Sequence, residues 1–305
     1  MDRADGKVDM QGLDHLPPRK QDELAEVARI LFEEFEAARR TKLKDDANNA
    51  RILKIILFGS YARGGWVEDR KSGYRSDYDL LIVVNSHRAT EASDYWENAS
   101  ERLVRELTVT KQLETPVNFI VHSLHEVNDQ LARGRPFFID IARDGIALYE
   151  APGHPLASPR QLSTTEARDE AQGYFDQWYP SAQRFAKLAD VAIVDGFRNE
   201  AAFLLHQTIE RLYHCVLQVL TLYSPKSHRL SVLRSHAERA DNRLIAAWPR
   251  DTKFARRCFT SIDRAYVEAR YSANYSIADD ELAWVVNHVT GLQKIVGDIC
   301  RERLS

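Results

Sequence analysis

The chain has 305 residues, 44% hydrophobic and 29% charged, with a formal net charge of −3. That length favours two cores over one, and Cys215, Cys258 and Cys300 lack the close spacing of a zinc site or a disulfide framework. Residues 1–150 carry 22 basic and 27 acidic side chains and residues 151–305 carry 20 and 18, so neither half is a basic platform and charge does not indicate nucleic acid as a partner. With no apolar run approaching a membrane span, the expectation is a cytoplasmic protein in a reducing compartment with no membrane partner.

Residues 1–20 are polar and read as a disordered or extended N-terminus. From Gln21 to Lys44 the series Leu24, Val27, Ala28, Leu31, Phe35 and Ala38 repeats at helical spacing and predicts an amphipathic helix. The runs Ile52–Phe58 and Leu80–Val84 are short, apolar and rich in β-branched residues, which predicts two buried strands. A helix over Asp94–Val109, a third strand over Pro116–His122 and a helix from Leu124 follow, then a turn near Gly134-Arg135-Pro136 and the apolar run Gly145–Tyr149. The order predicts an α/β domain with a mixed sheet over residues 21–150. Residues 151–164 read as a linker from their prolines and small side chains. Beyond them, helical patterns over 166–190, 197–222, 228–239, 251–270 and 279–303 predict an all-α bundle spanning residues 165–305.

Chemistry concentrates in two segments, Leu57-Phe58-Gly59-Ser60-Tyr61-Ala62-Arg63-Gly64 and Ser76-Asp77-Tyr78-Asp79-Leu80. A strand that ends in Gly-Ser and turns into a helix offers unpaired N–H groups and a hydroxyl to a phosphate, and glycine permits close approach. Asp77 and Asp79, two apart at a strand start, aim both carboxylates to one side while Tyr78 points away. Two adjacent carboxylates repel unless a divalent cation sits with them, and hard oxygen ligands suit Mg²⁺ or Mn²⁺.

Gly59-Ser60 with Asp77-x-Asp79 resembles the signature of the DNA polymerase beta-like nucleotidyltransferase superfamily, in particular its minimal members, over roughly residues 50–122. The resemblance implies that Gly59 and Ser60 bind a triphosphate, that Arg63 lies near the phosphates, and that Asp77 and Asp79 are catalytic and hold the metal. It also implies a third carboxylate on a later strand. Here the nearest equivalent is Asn118, whose amide ligates weakly and cannot act as a base, so either another acid such as Asp140 or Glu68 substitutes or the site binds nucleotide with little turnover. Lys71-Ser72-Gly73-Tyr74 resembles a hairpin tip.

The helical half is similar to the HEPN family through its five-helix layout and through Ser227-His228-Arg229-Leu230, which resembles a turn that precedes the third long helix of that family. Ribonucleases of the family place a histidine four to six residues beyond an arginine. In this chain Arg270 is followed by Tyr275 instead, and the formal match from Arg229 to His236 falls on a different helix. His228, Arg270, Tyr271 and Tyr275 are the candidate functional residues of this half; His206, His214, His122 and His125 read as structural. The resemblances together imply an ATP-dependent adenylyltransferase acting on a protein hydroxyl, an RNA end or a small molecule, with Tyr271 or Tyr275 as an acceptor in a toxin–antitoxin or defence setting, and a homodimer. The alternatives are a nucleotide-binding regulatory module with impaired turnover, a HEPN ribonuclease, and an aminoglycoside nucleotidyltransferase.

Overall fold

The computed structural model describes residues 11–41, 49–69, 74–272 and 274–305. The chain divides between Gln161 and Leu162 into an α/β unit and an all-helical unit. Among the described residues no helix is long and apolar enough to cross a membrane.

The first unit opens with helix α1 (Pro18–Arg40), which starts three residues before the expected Gln21 because Pro18 supplies the first helical position, where a missing N–H costs nothing. Leu13 and Leu16, read from sequence as part of a disordered or extended start, are buried in the core ahead of it; residues 1–10 lie outside the described residues. Strands β1 (Ile52–Phe58), β4 (Tyr78–Val84), β5 (Val117–Ser123) and β6 (Ile146–Glu150) form a four-stranded sheet in the order β5-β4-β1-β6. The β1 strand runs antiparallel to β4 and to β6, whereas β4 and β5 are parallel, so the sheet is mixed. Every residue of β1 and β4 is buried, which is why both read as continuous apolar runs rather than alternating ones.

One face of the sheet packs on α1 and on a helical stretch in which a π turn (Ala92–Trp96), α2 (Glu97–Arg105) and a second π turn (Glu106–Thr110) follow each other, where a single helix over Asp94–Val109 was expected. The short helices α3 (Leu124–Ala132) and α4 (Pro136–Asp144) follow β5. The Ser123 hydroxyl accepts from the Glu126 N–H while the Glu126 carboxylate accepts from the Ser123 N–H, a capping box that fixes where β5 gives way to α3.

The expected helix after Ser60 is a correction. Residues 61–64 form one turn, closed by Arg63 N–H donating to the Gly59 carbonyl at 3.2 Å and Gly65 N–H donating to the Ser60 carbonyl at 2.9 Å. At Gly64, with φ +73°, the chain leaves helical geometry and passes into the hairpin strands β2 (Glu68–Asp69) and β3 (Tyr74–Arg75). The expected tip residues Lys71, Ser72 and Gly73 lie outside the described residues.

The second unit comprises α5 (Thr164–Val194), α6 (Arg198–Thr221), α7 (Leu230–Ala240), α8 (Lys253–Tyr271) and α9 (Asp279–Leu304), with a 3-10 turn at Asn242–Ala247. Along α6, the helix at the centre of this core, Ala201, Leu205, Ile209, Leu212 and Val216 recur at steps of three and four and are buried, while Leu220, which continues the series, is half-buried against the core. Truncating one of these leucines to alanine removes well-packed atoms without room for collapse, a change that costs about 2–5 kcal/mol.

Candidate nucleotidyl-transfer site

Pairing register brings the site together. Phe58 stands opposite Asp79 across the antiparallel β1–β4 pair, and Asp79 stands opposite Asn118 across the parallel β4–β5 pair. Cross-strand partners share a face, so the end of β1, Asp79 and Asn118 meet on one side of the sheet. Tyr78 projects to the other side, where its hydroxyl donates to a Glu23 carboxylate oxygen at 3.0 Å. The alternation expected from Asp-x-Asp is therefore present, with Tyr78 serving as the anchor that sets it.

Asp79 is fully buried and Asp77 is half-buried one residue ahead of the strand. Gly59 holds φ +79°, and a Cβ built there would come within 2.7 Å of Asp79 Oδ2. The glycine is thus required twice, by the left-handed backbone and by the carboxylate lying against it. Ser60 is half-buried on the following turn. Arg63 is exposed, and its charge reaches α4: the Asp144 carboxyl is held below its ordinary range chiefly by hydrogen bonding from Arg143, with Arg63 adding a smaller electrostatic pull.

Asn118 occupies the place expected of a third carboxylate, and its Nδ2 donates to Asp77 Oδ2 at 2.8 Å. The two proposed substitutes are engaged elsewhere. Glu68 pairs with Lys20 at 2.8 Å, and that ammonium holds its carboxyl below the usual range; Lys20 also bonds Thr115 and so belongs to the Tyr78 side of the sheet. Asp140 is exposed and paired with Arg143 at 2.9 Å. One residue that sequence reasoning passed over is Phe137, half-buried on α4, whose ring meets Phe58 edge-on at 5.5 Å on the Asp79 face. Pro136 announces that helix, but nothing local to Phe137 marks its partner.

Among the described residues no group of three or more His, Cys, Asp or Glu side chains is gathered for a metal ion. The donor set of Asp77 and Asp79 fits a hard cation that keeps several waters and takes its remaining ligands from phosphate oxygens, the habit of Mg²⁺.

Residues 39–123 match the nucleotidyltransferase domain family and residues 175–299 match the HEPN domain family. The chain joins a nucleotidyltransferase domain to a HEPN domain. The crystal structure of a nucleotidyltransferase-like protein from Exiguobacterium sibiricum 255-15 is similar at 12% identity, over 88% of this chain and 78% of that one, with a TM-score of 0.27, a score too low to carry an inference about the fold. No curated protein matches the chain.

In the HEPN domain, Tyr275 is buried and its hydroxyl donates to the Ser261 carbonyl at 3.2 Å, which removes it from the accessible acceptors. Tyr271 is 76% exposed at the end of α8. The Arg270 guanidinium lies over the rings of Tyr266 and Tyr271 at 4.4 and 5.0 Å, and the His228 imidazole stacks on Tyr266 at 4.3 Å. Arg270 and His228, 42 positions apart in sequence, are thus brought to one aromatic ring. Their relation depends on how the turn before α7 meets α8, which sequence spacing does not reveal.

Proposed function

We propose that the nucleotidyltransferase domain moves a nucleoside monophosphate, AMP from ATP, to a hydroxyl acceptor with the help of Mg²⁺ or Mn²⁺. The observation that carries this reading is the Gly59 turn pressed against Asp79, with Asp77 two residues away. A glycine turn that admits a triphosphate beside two carboxylates that would hold its counter-ion is the minimal equipment for in-line displacement at the α-phosphorus. Asp77 and Asp79 would hold the ion, which would stabilise charge on the attacking and leaving oxygens; Gly59 and Ser60 would seat the phosphates and Arg63 would offer them a cation. The acceptor is a protein hydroxyl, an RNA end or a small molecule, and exposure leaves Tyr271 as the acceptor candidate within the chain. The expected setting is toxin–antitoxin or defence, and the expected assembly a homodimer; a monomeric mass in light scattering would remove the latter.

The test is intact-mass analysis after incubation with Mg²⁺ and each NTP, alongside the Asp77→Ala/Asp79→Ala double variant. A gain equal to one nucleoside monophosphate, seen only with the intact pair, supports transfer to the chain itself. The absence of both mass gain and Mg-NTP binding in calorimetry sinks the reading.

A second reading, nucleotide sensing with little turnover, is favoured by the hydrogen bond from Asn118 to Asp77. An amide at this place supports the carboxylate but takes no proton from an acceptor. Asn118→Asp separates the two. It replaces a donor with a third negative charge, so the apo variant should lose about 1–3 kcal/mol of stability and regain it on adding Mg²⁺. A rise in transfer of about tenfold or more identifies residue 118 as the missing base; unchanged, negligible transfer with tight Mg-ATP binding favours the sensor.

A further inference from the structure

On the last three turns of α5 the usual arrangement of a surface helix is inverted. Ala182, Ala189 and Ala192 face the core, whereas the larger Leu188, Val191 and Val194 stand outside it, 53%, 54% and 85% exposed. At about 100° per residue these three, together with Arg184, Lys187 and Asp195, share one side of the helix, turned away from the alanines. Phe197 adds another exposed apolar side chain at that end, where its N–H donates to the Ala192 carbonyl at 2.8 Å. Scattered exposed aliphatics are ordinary, but three on successive turns of one face make a stripe. Earlier on α5 the same face carries Glu166, Glu170, Gly173 and Gln177, so the apolar character is local to the stretch after Arg184.

We propose that this stripe is the face through which two copies of the chain pair, α5 against α5 in antiparallel sense about a two-fold axis at Val191. The inference rests on the homodimer expected above and names its surface. Charge selects the occupant. The stripe is basic at its N-terminal end, with Arg184 and Lys187, and acidic at its C-terminal end, with Asp195. Among the described residues, none of these three has an ion-pair partner within the chain. A two-fold axis reverses the second stripe, so the basic end of each copy meets the acidic end of the other and a single patch supplies both halves of the contact. Counting outward from Val191, Lys187 of one copy comes level with Asp195 of the other, Leu188 with Val194, and Val191 with its own counterpart. A parallel pairing would instead set like charges together at both ends.

The apolar centre drives the association and the charged ends fix its direction. Leu188, Val191 and Val194 leave water on both copies at once. Little reordering opposes this, because the inner side of the same stretch is already anchored to α6: Arg211 donates to the Ser181 hydroxyl at 3.1 Å and its guanidinium lies over the Phe185 ring at 3.9 Å. From Arg184 to Asp195 the stripe is about 17 Å long at the rise of an α-helix. That is a small contact by the standard of specific interfaces, so the pairing is reversible and follows concentration.

Light scattering of the full chain across a concentration series tests the pairing, and the mass should rise from that of one chain toward twice that value. Val191→Glu, at an exposed position outside the core, sets two like charges together at the axis and should weaken association by about a hundredfold or more. The double variant Arg184→Glu/Lys187→Glu should weaken it by about tenfold or more, and adding Asp195→Lys, which reverses the order of charges but keeps them complementary, should restore it to within a few fold. That rescue separates lost complementarity from misfolding. Val191→Cys should cross-link two copies under mild oxidation, whereas Gln172→Cys, exposed on another face of α5, should not. A chain that stays monomeric at every concentration overturns the pairing and leaves the stripe to a different protein. A dimer indifferent to Val191→Glu and to the charge reversals overturns this face while the homodimer itself stands. Neither result touches nucleotidyl transfer, which is read separately by mass gain.

Discussion

Replacing Asp77 by Asn or Asp79 by Asn is expected to lower nucleotidyl transfer by about a thousandfold or more, a loss of roughly 4 kcal/mol of transition-state stabilisation. The expectation rests on charge rather than shape. Asparagine is nearly isosteric with aspartate, so Gly59 still packs against residue 79 and the β1–β4 register, with Phe58 opposite position 79, is undisturbed. What disappears is one of the two anions available to a divalent cation. A carboxylate at a fully buried position is expensive to keep charged, a cost that the proposed metal-binding role would account for. Thermal midpoints of both variants should therefore lie within a few degrees of wild type while radiolabelled AMP incorporation collapses. A matched loss of midpoint and activity would show that Asp79 serves the fold, and unchanged incorporation would remove both residues from the chemistry.

Much of this geometry was legible in the chain. The β1 and β4 strands are buried at every position because both faces of the sheet are covered, which makes them read as mainly apolar runs, and period-2 alternation places Asp77 and Asp79 together whichever strand neighbours them. Gly59 was legible as a point of close approach, though not what approaches it. Three things were hidden. The turn at Ser60 looks like a helix start because nothing before Gly64 breaks the pattern, whereas the left-handed backbone at Gly64 ends it after a single turn. The pairing of Asn118 with Asp77 depends on β5 lying parallel to β4, a choice made by the connecting helical stretch over residues 87–110 and by tertiary packing. The burial of Leu13 and Leu16 ahead of α1 follows from an apolar site on the sheet that two isolated leucines in a polar segment do not announce. In the helical half His206 and His214 read as structural, and their spacing does not show that the turn of residues 222–229 returns His228 to Glu210.

Gly59→Ala is the second substitution with a large expected effect, and Gly64→Ala is its control. Both glycines sit in the left-handed region, Gly59 at φ +79° and Gly64 at φ +73°, so alanine at either position carries a backbone strain of about 1–2 kcal/mol. They differ in what the new methyl group meets. At Gly64 the nearest atom is His15 Cδ2 at 3.7 Å, an ordinary contact. At Gly59 it is Asp79 Oδ2 at 2.7 Å, closer than a methyl group and a carboxylate oxygen tolerate, on a side chain rooted in the middle strands of the sheet. Relief requires moving either the turn or the carboxylate, and both are parts of the proposed nucleotide seat. Gly59→Ala should therefore lose about 2–4 kcal/mol of stability, and transfer should fall by about a hundredfold or more. Gly64→Ala should lose only the backbone term and keep its transfer rate within a few fold. Denaturation midpoints and Mg-ATP titrations of the pair decide the matter: equal losses in both variants would mean that backbone strain alone accounts for the glycines, whereas loss of Mg-ATP binding confined to Gly59→Ala ties the close approach at Asp79 to nucleotide recognition.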